Sequence, residues 1–85
     1  MFDLFLGSKA ERFLKKAEKE VRIRIWKKMD ELKLNPFPTE VVRVVGKRGK
    51  AFRVRIGDYR MQYSVFQDKQ EIVVFDIDKR GRVYD

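Results

Sequence analysis

Phe52-Arg53-Val54-Arg55-Ile56-Gly57-Asp58-Tyr59-Arg60-Met61-Gln62-Tyr63 decides how the rest of the chain is read. Phe52, Val54 and Ile56 alternate with Arg53 and Arg55; Tyr59, Met61, Tyr63 and Val65 alternate with Arg60, Gln62 and Ser64. Alternation with a period of two is the mark of a half-buried strand. Gly57-Asp58 between the two runs is a two-residue hairpin turn. That turn sets the register: Ile56 faces Tyr59, Arg55 faces Arg60, and Arg53 faces Gln62. One face is then apolar, and the other presents Arg53, Arg55, Arg60, Gln62 and Ser64 together. Like charges directly opposite each other in a sheet cost from tenths of a kcal/mol to about 1 kcal/mol. A polyanion that neutralises the arginines explains why such a cost is carried. The competing reading is that Asp76 or Asp78 of the neighbouring strand pairs with them.

Ile72 to Ile77 is a more continuous apolar run, expected for a strand covered on both faces. On the N-terminal side, Phe2, Leu4 and Leu6 form a short strand that Gly7 ends. Ser8-Lys9-Ala10-Glu11 has the form of a capping box, with Ser8 at the N-cap. Ala10, Phe13, Leu14 and Ala17 repeat at helical spacing, and Val21, Ile25, Met29 and Leu32 continue it, with Ile23 and Trp26 widening the apolar face. One bent helix or two helices joined near Glu18–Glu20 fit this pattern, and two packed as a hairpin are favoured. Asn35-Pro36 stops the second, because proline lacks an amide hydrogen and disfavours helical geometry at the preceding residue. The expected order is β-α-α-β-β-β, a two-helix hairpin on one face of a mostly antiparallel sheet, in the α+β class. No linker or repeat interrupts residues 1–85, so a single domain is expected.

Charge supplies the first clue to function. The chain has 21 Lys plus Arg against 13 Asp plus Glu, a formal net charge of +8. Residues 43–60 alone carry seven basic side chains (Arg43, Lys47, Arg48, Lys50, Arg53, Arg55 and Arg60) against one acid, Asp58. A basic block of this kind is a polyanion site, with nucleic acid ahead of a membrane surface because no amphipathic helix carries it. The alternative is a charge-rich protein from a hot environment, to which the scarcity of amide side chains lends support. With no cysteine and no histidine, triad hydrolysis, thiolate chemistry and thiolate or histidine metal sites are excluded. No apolar run is long enough to span a membrane, and nothing after Met1 has the form of a secretory signal. Neither a cofactor nor a metal is expected, and the location expected is cytoplasmic.

Two further groups carry chemistry. Asp76 and Asp78 point to the same side of a strand and near a phosphate site can hold magnesium; salt bridging to the arginines is the preferred reading. Asp78-Lys79-Arg80-Gly81-Arg82-Val83-Tyr84-Asp85 brings more cations and a phenol after the last strand. Cations lower a phenol's pKa, so Tyr84 is either a proton acceptor or an anchor for the chain end.

The hairpin core R-x-G-x-Y-R-x-x-Y, formed by Arg55, Gly57, Tyr59, Arg60 and Tyr63, resembles the central hairpin of the RelE/ParE toxin superfamily. The apolar strand that follows and the ending Arg80…Val83-Tyr84 resemble the same family, as do the opening strand, the two helices and the break at Asn35-Pro36. The likeness covers nearly the whole chain, in the manner of a RelE-type toxin from an archaeon or thermophile. It implies a compact α+β toxin that cleaves messenger RNA in the ribosomal decoding site and blocks translation. Its implied partners are the ribosome, mRNA and a cognate RelB-like antitoxin, acidic and partly disordered, with no membrane and no small-molecule cofactor.

By the same resemblance Arg53 and Arg55 lie along the mRNA backbone; charge alone adds Arg48, Lys50, Lys79 and Arg82 as further RNA-binding cations. Arg60 contacts the scissile phosphate, Arg80 stabilises developing charge or assists the leaving group, and Tyr84 orients or deprotonates the attacking 2′-hydroxyl. The implied reaction is transesterification by that hydroxyl, which needs no metal, so the protein would be an endoribonuclease. Family members with lysines at the Arg53 and Arg55 positions have groups able to lose a proton; arginines there act only electrostatically. The alternatives are a ParE-like protein that inhibits gyrase by binding without catalysis, and a basic RNA-binding module without chemistry.

Overall fold

The computed structural model describes residues 1–44 and 51–79. Along the chain run β1 (Asp3–Leu6), α1 (Ser8–Lys16), α2 (Lys19–Leu34), β2 (Val42–Arg43), β3 (Ala51–Ile56), β4 (Tyr59–Phe66) and β5 (Glu71–Lys79). The strands form one five-stranded sheet in the order β1-β5-β4-β3-β2. Only β1 and β5 are parallel; the other three pairings are antiparallel. Two helices lie on one face, the α+β arrangement expected. Short strand β2 is an addition to the expected order: Val42 pairs with Arg53 and Arg43 with Phe52. Two residues carry no periodicity by which a sequence pattern reveals a strand.

The β3–β4 hairpin has the anticipated register, with Ile56 opposite Tyr59, Arg55 opposite Arg60 and Arg53 opposite Gln62. Gly57 sits at φ +59° while Asp58 does not have positive φ, the pattern of a II′ turn, whose twist matches that of the strands. A Cβ at this glycine would also stand 2.8 Å from Nη1 of Arg24, which reaches over the turn from α2.

The apolar face of this hairpin meets the helices. Val54, Met61, Tyr63, Ile72 and Val74 from the sheet are buried together with Ala10 and Leu14 of α1 and Ile25, Met29 and Leu32 of α2. Burying each large side chain of this kind stabilises the fold by about 1.5–3 kcal/mol. Ile23 and Trp26 do not widen the buried stripe: they remain 55% and 43% exposed. They stand off the line through Val21, Ile25, Met29 and Leu32, and a helix on a sheet buries one stripe.

The helix ends are settled by local bonds. Ser8 is already helical and Gly7 is the N-cap, with no side-chain cap bond, so the expected capping box is not formed. The Gly7 amide donates to the carbonyl of Val74 at 2.8 Å and its carbonyl accepts from the Glu11 amide at 2.9 Å. Tethering to β5 puts the cap at Gly7, one residue before the serine, and the helix starts at Ser8 itself. Between the helices Ala17 and Glu18 are extended, and Nη1 of Arg22 donates to the Ala17 carbonyl at 2.6 Å. Helix α2 ends before Pro36, with Asn35 extended as a residue preceding proline must be.

Two side-chain contacts fasten the segment after α2. The Tyr63 hydroxyl donates to the buried Pro36 carbonyl at 2.6 Å, and burial pushes its phenol pKa up. Lys28 Nζ lies 2.9 Å from Glu40 Oε2 and 2.9 Å from Glu31 Oε1. The hydrogen bond from Lys28 holds the Glu40 carboxyl below the usual carboxylate range. The hydrogen bonds that Lys28 donates to Glu40 and Glu31 raise its ammonium pKa against the opposing effect of burial.

Tyr63→Phe removes the hydroxyl and leaves the Pro36 carbonyl unmatched, a loss of about 1–3 kcal/mol, read as a lower urea midpoint. Because the folded-state pKa of Glu40 is depressed, its contribution is present above the unfolded carboxylate pKa and lost as pH falls through the folded value. Urea midpoints measured from neutrality to about pH 3 should therefore fall less steeply in Glu40→Gln than in the wild type. The Lys28 contribution is lost only in the alkaline direction, as pH rises through its raised pKa.

Candidate nucleic-acid interface

The sheet face turned away from the helices is built from alternate residues. Strand β3 contributes Arg53 and Arg55, and β4 contributes Arg60, Gln62 and Ser64, because their neighbours Val54, Ile56, Met61 and Tyr63 are buried on the other side. Register sets Arg55 across from Arg60 and Arg53 across from Gln62. Arg55 is exposed, whereas Arg53 and Arg60 are partly buried. The Arg60 Nε atom is buried with no hydrogen-bond partner among the described residues.

Strand β5 borders this face through an irregularity that the alternation of residues does not anticipate. Val74 lies opposite Tyr63, but Asp76 lies opposite Gln62, so β5 carries one more residue than β4 at this point. Without the bulge, Asp76 would follow Val74 toward the helices. With it, Asp76 and Asp78 turn to the arginine side, and Ile77 fills the core opposite Met61. Bulges often re-aim side chains in this way beside functional sites. A signal was present: the core residues Ile72 and Val74 are two apart, but Ile77 follows at an odd spacing.

Asp78 lies across from Arg60 and Asp76 across from Gln62. Even so, among the described residues no ion pair joins Arg53, Arg55 or Arg60 to either carboxylate. Asp76 Oδ1 is 3.3 Å from Lys9 Nζ on α1. That contact is close enough for an ion pair but lacks hydrogen-bond direction, since the same buried oxygen has no hydrogen-bond partner among the described residues. No cluster of three or more carboxylates forms among the described residues, so Asp76 and Asp78 gain no third carboxylate there with which to hold a cation.

The structure thus brings Arg53, Arg55 and Arg60 together but not Lys79. Lys79 pairs with Tyr59, whose ring packs edge-on against Phe13 on the helix side, so its position belongs to the opposite face from the arginines. Arg48, Lys50, Arg80, Arg82 and Tyr84 lie outside the described residues.

Comparison with known proteins agrees with this architecture. Residues 5–84 match the family model described as the ParE toxin of type II toxin–antitoxin systems. A curated protein of Methanocaldococcus jannaschii, named as a candidate RelE1 toxin, is 36% identical over 58 residues, covering 66% of this chain and 64% of that protein. The aligned stretch is therefore less than two thirds of that relative's length. The crystal structure of an archaeal RelE–RelB complex from Pyrococcus horikoshii superposes with a TM-score of 0.84 at 27% identity, covering 96% of this chain and 98% of that one. The isolated RelE toxin of Escherichia coli gives a TM-score of 0.81 at 20% identity, covering 98% and 88%, a likeness of fold. By its sequence match across nearly its whole length and by its fold, the chain belongs to the ParE toxin family of type II toxin–antitoxin systems, within the RelE/ParE superfamily.

Proposed function

We propose that the protein is a RelE-type toxin: a ribosome-dependent endoribonuclease of the cytoplasm that cleaves mRNA, stops translation and is restrained by a RelB-like antitoxin. The observation that carries this reading is the arginine face. Arg53, Arg55 and Arg60 converge from two strands with no ion pair to a described carboxylate, and a buried donor of Arg60 has no described partner. A buried unmatched donor costs about 1–3 kcal/mol, a cost that a phosphate oxygen would remove.

In the proposed reaction the 2′-oxygen attacks the adjacent phosphorus and the bond to the 5′-oxygen breaks, leaving a 2′,3′-cyclic phosphate and a 5′-hydroxyl. Arg60 and Arg80 would stabilise the extra negative charge of the pentacovalent transition state. Tyr84 would orient or deprotonate the attacking hydroxyl, and Arg53 and Arg55 would hold the backbone, since arginine does not act as a base at neutral pH. With no histidine in the chain, much of the rate must come from the ribosome's positioning of the message. The ParE description of the matching family model favours one second reading, an inhibitor that acts by occupying a protein surface.

Arg55→Glu converts a repulsive cross-strand pair into an attractive one. Stability should rise by about 0.2–1 kcal/mol, a shift of a few degrees in Tm, while affinity for RNA falls. A variant that loses stability as well as RNA affinity would show that the repulsion is not a cost the fold carries.

Arg80→Ala separates the two functional readings. For a nuclease, cleavage of ribosome-bound mRNA should drop by roughly a hundredfold or more, with ribosome binding largely retained; Tyr84→Phe tests the hydroxyl in the same assay. Translation arrest by Arg80→Ala at the wild-type level would contradict the catalytic assignment and favour the inhibitor.

A further inference from the structure

Two buried atoms of opposite kind are left unmatched on the arginine face. Nε of Arg60 is a donor and Oδ1 of Asp76 an acceptor, and neither has a hydrogen-bond partner among the described residues. A phosphodiester offers acceptors only, so it answers the first and not the second; Asp76 calls for a donor. The two residues stand on the diagonal of one antiparallel pair, since Asp76 lies opposite Gln62 and Asp78 opposite Arg60. Diagonal neighbours are about 7–8 Å apart at the backbone, within reach of long side chains.

The surroundings of Asp76 suit it to work beside a phosphate. Only the bulge in β5 turns it to this side. A bare carboxylate would repel an anion held by Arg60, but Lys9 Nζ, 3.3 Å from Oδ1, offsets that charge without completing a hydrogen bond. The Asp76 side chain is 20% exposed, which leaves the carboxylate reachable, and rotation about Cβ–Cγ exchanges its two oxygens. Asp78 differs in being exposed, so water meets its needs.

In an RNA strand the donor beside each phosphate is the 2′-hydroxyl, which DNA lacks. For attack its oxygen must lie about 3–3.5 Å from the phosphorus. The group that holds the phosphate and the group that accepts from this hydroxyl must therefore be neighbours, as Arg60 and Asp76 are. We infer that Asp76 accepts the hydrogen bond of the 2′-hydroxyl next to the phosphate on Arg60 and takes its proton during cleavage. The inference rests on the nuclease reading and adds a proton acceptor to it. The proton passes to a carboxylate oxygen, and the electron pair left on the 2′-oxygen forms the bond to phosphorus. The 5′-oxygen leaves with the pair of the broken bond and is protonated by water; Asp76 returns its proton to solvent. A carboxylate thus does the work for which the chain has no histidine, and Tyr84 keeps the orienting role.

The test uses the full chain, with folding of each variant checked by circular dichroism. Fluorescence anisotropy compares binding of one short single-stranded RNA with the same sequence in 2′-deoxy form. The wild type should prefer the ribose form, and Asp76→Ala should lower that preference by about tenfold, the worth of one hydrogen bond to a charged group. Asp78→Ala should leave it unchanged. Asp76→Asn keeps an acceptor but takes no proton, so it should retain most of the preference while cleavage of ribosome-bound mRNA falls by roughly a hundredfold or more. Equal weakening of ribose and deoxyribose binding in Asp76→Ala would mean that the carboxylate only supports Arg60, and would overturn the inference. Wild-type cleavage by Asp76→Asn, or a loss of preference confined to Asp78→Ala, would overturn it too. The binding comparison needs neither ribosomes nor turnover. A wild type that prefers ribose through Asp76 yet cleaves nothing would end the nuclease reading and the proton transfer with it, and leave the hydrogen bond standing.

Discussion

The constraint on which the structure turns is the II′ hairpin at Gly57-Asp58. By fixing register it commits Val54, Ile56, Met61 and Tyr63 to the core, and in the same act it commits Arg55 to lie opposite Arg60. A slip of one residue would send the arginines under the helices and the core side chains into solvent. Hydrophobic burial therefore holds the arginines together against their repulsion. The φ of +59° at Gly57 is a backbone conformation that other side chains rarely adopt, so the glycine keeps the turn and with it the register.

The two faces of the sheet divide the work. Toward the helices, packing is continuous and the polar groups are matched locally: Tyr63 to Pro36, Arg22 to Ala17, Lys28 to Glu31 and Glu40. Away from the helices, the bulge in β5 turns two carboxylates toward the arginines without bonding them to Arg53, Arg55 or Arg60. An interior that is satisfied supports a surface that is not, the pattern expected where local cost is tolerated for function.

Strong periodicity made much of this legible in the sequence. The hairpin register, the buried stripe Ile25–Met29–Leu32 and the stop at Pro36 follow from alternation, helical spacing and proline chemistry. Features set by contacts between distant residues were not legible. Ser8 loses its capping role because Gly7 is tied to Val74, and β2 exists only because Val42 and Arg43 meet Arg53 and Phe52. Ile23 and Trp26 are apolar, so composition alone marked them as core, although the helix has no second buried face to give them. In the candidate site, Arg53, Arg55 and Arg60 were found by register, whereas Lys79 was grouped with them by charge and stands on the other face. Arg80 and Tyr84 enter through the sequence motif alone.

The most direct measurement is the salt dependence of binding to a single-stranded RNA, for the wild type and for Arg53→Gln/Arg55→Gln. Each phosphate neutralised on a single strand contributes about 0.7 to the slope of log K against log salt. If the arginine face holds the backbone, the double variant should bind more weakly, with a slope shallower by about 1.4. Parallel slopes with equal affinity would mean that these arginines do not meet phosphate, and the functional assignment of this face would be wrong.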